Sequence, residues 1–222
     1  MADDTNREII AALEQALDAL GGIRAEFQGE DNAVALWFHA LTSSGVYANY
    51  RLHARLEALS LSATPWRGRL ERRQLALTLV EVVADLGREL GRPWEAHVDA
   101  LTDNPVLRDP LVDLVKRFAG FRRVNDRRLR VLAKMLGADP EAKPREILPF
   151  DGDLDQDEIL RLTIEVMIWL GEFGKASTLL ISALRGERQR RTAGPGPSAN
   201  ESRGFGTQSA RGYLTVARAA RP

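Results

Sequence analysis

Four basic residues on one predicted helix are spaced for contact with an anion. Arg123, Arg127, Arg130 and Lys134 follow one another at steps of four, three and four residues. Residues three and four apart lie on one face of an α-helix, and at about 1.5 Å per residue these side chains form a stripe about 16 Å long. Such a stripe can contact several phosphates of a nucleic acid, each adding salt-dependent affinity. The alternative is a solvated face paired with acidic residues of the same protein.

The C-terminal segment is a second candidate for contact with an anion. Residues 185–222 carry eight arginines and two glutamates, whereas residues 1–184 have six more acidic than basic side chains. The tail contains two Arg-Gly-aromatic steps, Arg203-Gly204-Phe205 and Arg211-Gly212-Tyr213. These steps resemble those of RNA-binding tails, in which the arginine meets a phosphate and the ring stacks on a base. Pairing of the tail with the acidic body of its own chain is the alternative.

Two polar residues lie on or near the apolar face of the basic helix. Asn125 and Arg128 fall between Phe121 and Leu132, where a buried polar group without a partner costs about 1–3 kcal/mol. They therefore indicate either a structural hydrogen bond to a neighbouring helix or a polar functional cleft.

The stretch from Phe121 to Val131 resembles the signature helix of the HEPN superfamily, in particular its abortive-infection branch. Those helical bundles carry an arginine, usually followed by a polar residue, and a histidine a few residues later. A loop and another long helix follow, as they do here over residues 111–184. The resemblance implies a dimer with a metal-independent ribonuclease cleft. In the best register Asn125 stands at the arginine position and Val131 at the histidine position, which implies a relative that does not cleave RNA.

Other residue types point away from catalysis and from a metal or cofactor. The three histidines, His39, His53 and His97, are scattered, and we expect them to be packing positions without a second metal ligand nearby. The chain has no cysteine, which excludes disulfides, thiolate ligands and thiol nucleophiles. We therefore predict no metal site and no cofactor, and the sequence favours a non-enzymatic protein, with catalysis by carboxylates that folding brings together left open.

The elements that position these residues are predicted to be helices, because the apolar residues recur at spacings of three and four and no alternating pattern is present. The first predicted helix begins at the caps Asp3–Thr5 and ends at Gly21-Gly22, and the second begins at Asp31-Asn32 and is broken at Ser43-Ser44-Gly45. The third begins at Thr64-Pro65 and ends at Gly91, and a short helix covers Trp94–Leu101. The basic helix begins after Asp109-Pro110 and covers Leu111–Leu136, and the last helix runs from Asp155 to Leu184. The expected fold is an all-α bundle of about six or seven helices.

The composition predicts the domain organisation and the cellular location of the protein. Hydrophobic residues make up 44% of the 222 residues, enough for one sizeable core, so residues 1–184 are predicted to form a helical domain. The tail, residues 185–222, is rich in Gly, Pro, Ser and Arg and is predicted to be disordered. No apolar run approaches the length of a membrane span, and no secretory signal is expected. Arginine outnumbers lysine 27 to 4, which is typical of a GC-rich bacterial genome.

We therefore expect a cytoplasmic bacterial protein that works by binding. Its anionic partner would be RNA, DNA or an acidic protein, held by the stripe at Arg123, Arg127, Arg130 and Lys134 and by the tail at Arg203 and Arg211. A divergent HEPN-type ribonuclease or toxin component is one alternative. A self-assembling protein whose basic tail neutralises its neighbour, for example in a homodimer, is another.

Overall fold

The structure is a computed structural model that describes residues 2–27, 33–91, 94–136 and 155–192. Those ranges contain six α-helices and no strand. The helices are α1 (Ala2–Phe27), α2 (Ala33–Ser60), α3 (Pro65–Glu89), α4 (Trp94–Leu101), α5 (Pro105–Met135) and α6 (Gln156–Thr192). The predicted all-α fold is therefore confirmed. None of the described helices combines the length and the hydropathy that crossing a membrane requires.

Two helices form the centre of the bundle. α2 packs against α1, α3, α4 and α6, and α6 packs in turn against α3 and α5. α1 lies at the edge and contacts chiefly α2. α5, which carries the basic stripe, is held between α3 and α6.

Aromatic side chains join α5 to this centre. The rings of Trp169 and Phe173 on α6 stack with centroids 5.1 Å apart, and Phe118 of α5 lies 4.7 Å from Trp169. The Trp169 indole Nε1 also donates a hydrogen bond of 2.7 Å to the backbone carbonyl of Leu114. Because this contact fixes one face of α5 against α6, the opposite face points to solvent.

Two predicted helix starts are confirmed by their caps. The Thr64 hydroxyl accepts a hydrogen bond from the backbone N–H of Arg67, with Pro65 at the first helical position. The Asp155 carboxylate accepts from the backbone N–H groups of Asp157 and Glu158, so it caps α6 as expected.

The start of α5 was predicted wrongly. The helix begins at Pro105, capped by the Asn104 side chain, and the predicted start at Asp109-Pro110 lies inside it. Pro110 has no N–H to donate to the carbonyl of Val106, four residues earlier. This loss is tolerated because Val106 lies in the first turn of the helix and is exposed.

The breaks predicted at small residues in α1 and α2 were also wrong. α2 continues through Ser43-Ser44-Gly45, where the Ser43 hydroxyl donates back to the carbonyl of His39 and Gly45 is buried. α1 continues through Gly21-Gly22 to Phe27. In α2, packing of Gly45 against Phe173 of α6 outweighs the local preference of glycine and serine for a helix end.

The last helix is longer than expected. α6 extends beyond Leu184, the predicted end of the helical body, to Thr192. Inside this extension the Arg190 side chain donates to the carbonyl of Gly186. The tail predicted to be disordered otherwise lies outside the described residues.

Gly45 marks the closest approach between α2 and α6. A Cβ placed there would lie 3.3 Å from the Phe173 ring, which is itself fully buried. We expect Gly45→Val to destabilise the protein by about 1–3 kcal/mol, because a larger side chain overpacks this contact. A Cβ at Gly120 of α5 would meet no atom within 4 Å. Gly120→Ala should therefore stabilise the protein by about 0.5–1 kcal/mol.

Urea unfolding of both variants, followed by circular dichroism, measures the two changes in the free energy of unfolding. Equal effects of the two substitutions would contradict the close packing at Gly45.

Candidate anion-binding surface

The four residues of the predicted stripe all lie on the exposed side of α5. Arg123, Arg127, Arg130 and Lys134, called the ridge from here on, are exposed. The apolar residues predicted for the opposite face, Leu114, Phe118 and Leu132, are buried, and Phe121 and Met135 are partly buried. The helix is thus amphipathic in the predicted orientation: its apolar face packs against α3 and α6, and its charged face is exposed.

The ridge residues differ in how they are paired. Arg130 bonds to Asp126 one turn earlier, with its Nε 3.0 Å from a carboxylate oxygen. Within the described ranges neither Arg123 nor Arg127 has an ion-pair partner, and both side chains are exposed. Arg123 and Arg127 therefore present two guanidinium groups, each with five N–H donors, to solvent.

Other arginines of α5 are committed to the neighbouring helix. Arg128 Nε lies 2.7 Å from Glu158 Oε1, and Arg117 Nη1 lies 2.6 Å from Glu172 Oε2. Exposed pairs of this kind contribute about 0–1 kcal/mol each. The alternative interpretation, pairing with acidic residues of the same chain, thus describes Arg130 of the ridge as well as Arg117 and Arg128, but within the described ranges it does not describe Arg123 or Arg127.

Arg122 has a further structural contact. Its guanidinium lies directly against Gly87 of α3, where an added Cβ would collide with the guanidinium atoms. Glycine at this position therefore lets an arginine of α5 lie flat on α3. The contact holds the start of the ridge at the seam between the two helices.

The polar pair on the apolar side of α5 is satisfied within the protein. Asn125 is 3% exposed, and its Nδ2 donates to the carbonyl of Phe121 at 3.0 Å. Its Oδ1 accepts from Arg128 Nη1 at 3.4 Å, and Arg128 then reaches Glu158 on α6. Of the two interpretations left open by the sequence, the contacts fit the structural hydrogen bond to a neighbouring helix. Val131, at the histidine position of the HEPN register, is 51% exposed.

Two of the three histidines serve packing, as predicted. His39 Nε2 lies 2.8 Å from the carbonyl of Leu20, and because a carbonyl only accepts, His39 must donate from Nε2. His53 Nδ1 lies 2.7 Å from Asn6 Oδ1, and Asn6 Nδ2 donates to the carbonyl of His53. Both histidines thus join α2 to α1.

His97 makes a different contact. Its ring lies 4.5 Å from that of Trp37, and its buried Nδ1 has no hydrogen-bond partner among the described residues. In the described ranges, no three His, Asp or Glu side chains are grouped to hold a metal ion.

Part of the predicted site lies outside the described residues. This applies to Arg203 and Arg211 of the tail, so their contact with an anion stays a prediction.

The structure adds a patch that the sequence analysis missed, at the start of α3. Trp66 is 68% exposed there, beside a cavity of about 610 Å³ between α2, α3 and α6. The Thr64-Pro65 cap signal fixed the helix start, but it carried no information about the helices that surround it. The signal that the sequence offered was a tryptophan followed by several arginines.

Burial lowers the pKa of His53 from its ordinary value of 6.5 to about 4. The native state keeps the ring neutral, whereas the unfolded chain takes up a proton below about pH 6.5. Since the unfolded state binds more protons, stability is complete above about pH 6.5 and falls as the pH decreases toward about 4. We expect this residue alone to cost about 2 kcal/mol of stability between about pH 7.5 and about pH 5.

The control variant is His53→Asn, which keeps an N–H donor for Asn6 but does not titrate. The free energy of unfolding in urea, measured at both pH values, should fall less in this variant than in the original protein. An equal fall in both would assign the pH dependence to other groups.

Comparison of the chain with protein-family models, with curated proteins and with solved structures found no match in any of the three.

Proposed function

We propose that this protein is a non-enzymatic binding protein and that the ridge on α5 binds the phosphates of a nucleic acid. The observation that carries the proposal is the pair Arg123 and Arg127, exposed and without an ion-pair partner in the described part of the chain. Nearby arginines with acidic residues in reach, such as Arg117 and Arg128, are paired across to α6.

The spacing of the ridge supports a polyanion as the partner. Neighbouring side chains on one helix face stand about 5–6 Å apart, and the ridge extends over about 16 Å. A regular row of cations suits a ligand whose negative charges repeat along a line, as phosphates do. Arginine also binds a phosphate through two N–H groups at once, which fixes the geometry as well as the charge.

The helix that carries the ridge is packed against α3 and α6, which also supports binding. α5 is anchored by the Trp169 indole on the Leu114 carbonyl and by Arg122 on Gly87. A preformed row of donors needs little ordering when the ligand arrives, so less of the interaction energy is lost. The tail arginines, if they act as predicted, add a second contact at high local concentration.

No catalytic step is part of the proposal. His39 and His53 are engaged with α1, and Asn125 is buried inside the bundle. The HEPN-type ribonuclease stays a prediction from the resemblance, and the bacterial and cytoplasmic setting stays a prediction from composition. An acidic protein or a second copy of this chain, whose first 184 residues are acidic overall, would compete with nucleic acid for the same ridge.

The test is the salt dependence of nucleic-acid binding by the full chain. Replacing both arginines, Arg123→Gln with Arg127→Gln, should weaken binding on all sequences alike, because phosphate contacts carry no sequence information. The slope of log K against log salt on a single strand should become shallower by about 1.4, since each lost phosphate contact removes about 0.7. Fluorescence anisotropy with a labelled oligonucleotide at several salt concentrations gives both quantities.

Arg24→Gln is the matched control. Arg24 is exposed on α1, at the edge of the bundle, and its loss removes the same kind of charge. An unchanged slope in the double variant, or an equal loss with Arg24→Gln, would refute the ridge as the contact surface. Salt-dependent self-association without nucleic acid would favour the assembly alternative instead.

A further inference from the structure

A second exposed surface lies where α3 begins, and it is aromatic and apolar. Trp66 is 68% exposed, the highest value for an aromatic side chain in the described ranges. Leu70, one helical turn later, is 39% exposed, and Leu61 in the preceding turn is 50% exposed. Single exposed leucines are ordinary, but an exposed indole one turn from a leucine marks a surface that gains by being covered.

The same segment is basic. Residues 61–73 contain Arg67, Arg69, Arg72 and Arg73 and a single acid, Glu71. The Glu71 side chain is only 15% exposed and lies 3.8 Å from Arg55 Nη1, so its charge is directed toward α2. Arg67 is exposed and has no ion-pair partner in the described part of the chain. Trp66 is therefore followed along α3 by four arginines and one acid that is directed away from it toward α2.

A cavity adjoins this segment. It has a volume of about 610 Å³ and lies between the end of α2 and the starts of α3 and α6. Its walls are apolar at Leu56, Leu59, Pro65 and Leu160, and its polar lining residues include Ser62, Thr64, Arg72 and Gln156. Apolar walls with a few polar groups are typical of a site for a flat, partly polar molecule. The volume is larger than a nucleobase.

The first turn of α6 links this corner to the ridge. Gln156 and Leu160 line the cavity, and Glu158, which lies between them in the same turn, is bonded to Arg128 of α5. Arg128 directly follows Arg127 of the ridge. The cavity and the ridge thus lie at the same end of the bundle, on either side of one helix start.

We propose that this corner binds the bases of a single-stranded nucleic acid, with one base stacked on Trp66 beside the cavity. The inference rests on the proposed function, because the ridge then holds phosphates of the same strand. Proteins that bind single strands combine a basic track with aromatic platforms, and in a duplex the bases are already stacked and paired. A flat membrane surface fits less well, because the cavity that begins at Pro65, next to Trp66 in the chain, is concave, and arginines follow Trp66 along α3.

The experiment compares Trp66→Ala, Trp66→Phe and the double ridge variant Arg123→Gln with Arg127→Gln, each in the full chain. Fluorescence anisotropy measures their affinity for a uridine oligonucleotide, a thymidine oligonucleotide and a duplex of equal phosphate count. We expect Trp66→Ala to weaken binding of single strands by roughly 5- to 150-fold, the range for loss of one stacked base. Binding of the duplex and the salt slope should stay unchanged.

Trp66→Phe keeps a ring and should recover part of the lost affinity, while the ridge variant should weaken single strands and duplex alike. Because Trp66 is largely exposed, its replacement should leave thermal unfolding unchanged. The uridine and thymidine arms decide whether the strand is RNA or DNA.

The failure of this inference can be distinguished from the failure of the proposed function. If Trp66→Ala binds single strands as the original protein does while the ridge variant is weakened, the corner is not a base site and the proposed function stands. If the original protein binds neither single strands nor duplex, both proposals are wrong. If Trp66→Ala instead loses binding to vesicles of anionic phospholipid with its oligonucleotide affinity unchanged, the corner is a membrane contact and the inference is overturned.

Discussion

Phe173 is the residue on which the arrangement of the bundle depends. Its ring is fully buried, touches Gly45 of α2, stacks on Trp169 of α6 and lies 6.3 Å from the ring of Trp94 on α4. α2 and α6 can approach this closely because Gly45 has no side chain. Since interiors are packed nearly as densely as crystals, a ring held from several sides leaves the helices around it little freedom to shift.

The orientation of α5 follows from this centre. Trp169, stacked on Phe173, packs on Phe118 and donates to the Leu114 carbonyl, so the apolar side of α5 faces inward. The helical period then places the ridge about half a turn away, in solvent. Surface electrostatics did not decide which arginines are exposed. Core packing decides which arginines are exposed. The acids on α6 pair with the two arginines that lie within their reach, Arg117 and Arg128.

The sequence predicted features that depend on local periodicity and failed where contacts between elements decide. The exposed position of the ridge and the buried face of α5 follow from spacings of three and four along one helix, and the Asp155 cap follows from an acidic residue placed before an apolar periodic run. All three positions were predicted correctly. The break in α2 was wrong because Gly45 serves a contact with Phe173, far away in the chain. The corner at Trp66 was missed for the same reason. Its cavity needs Leu160 of α6 beside Pro65 of α3, a juxtaposition that no local pattern encodes.

The polar groups discussed above divide into buried ones that join helices and exposed ones on the surface of the bundle. Catalytic acids and bases work near solvent or substrate, with a pKa matched to the reaction. Here burial moves the pKa of His53 down to about 4, and the hydrogen bond to Asn6 directs its Nδ1 into the α1–α2 seam. Arg123 and Arg127 on the ridge and Trp66 at the start of α3 are instead exposed to solvent. They offer fixed positive charge and an aromatic face, and these are the two features with which a protein holds a phosphate backbone and its bases.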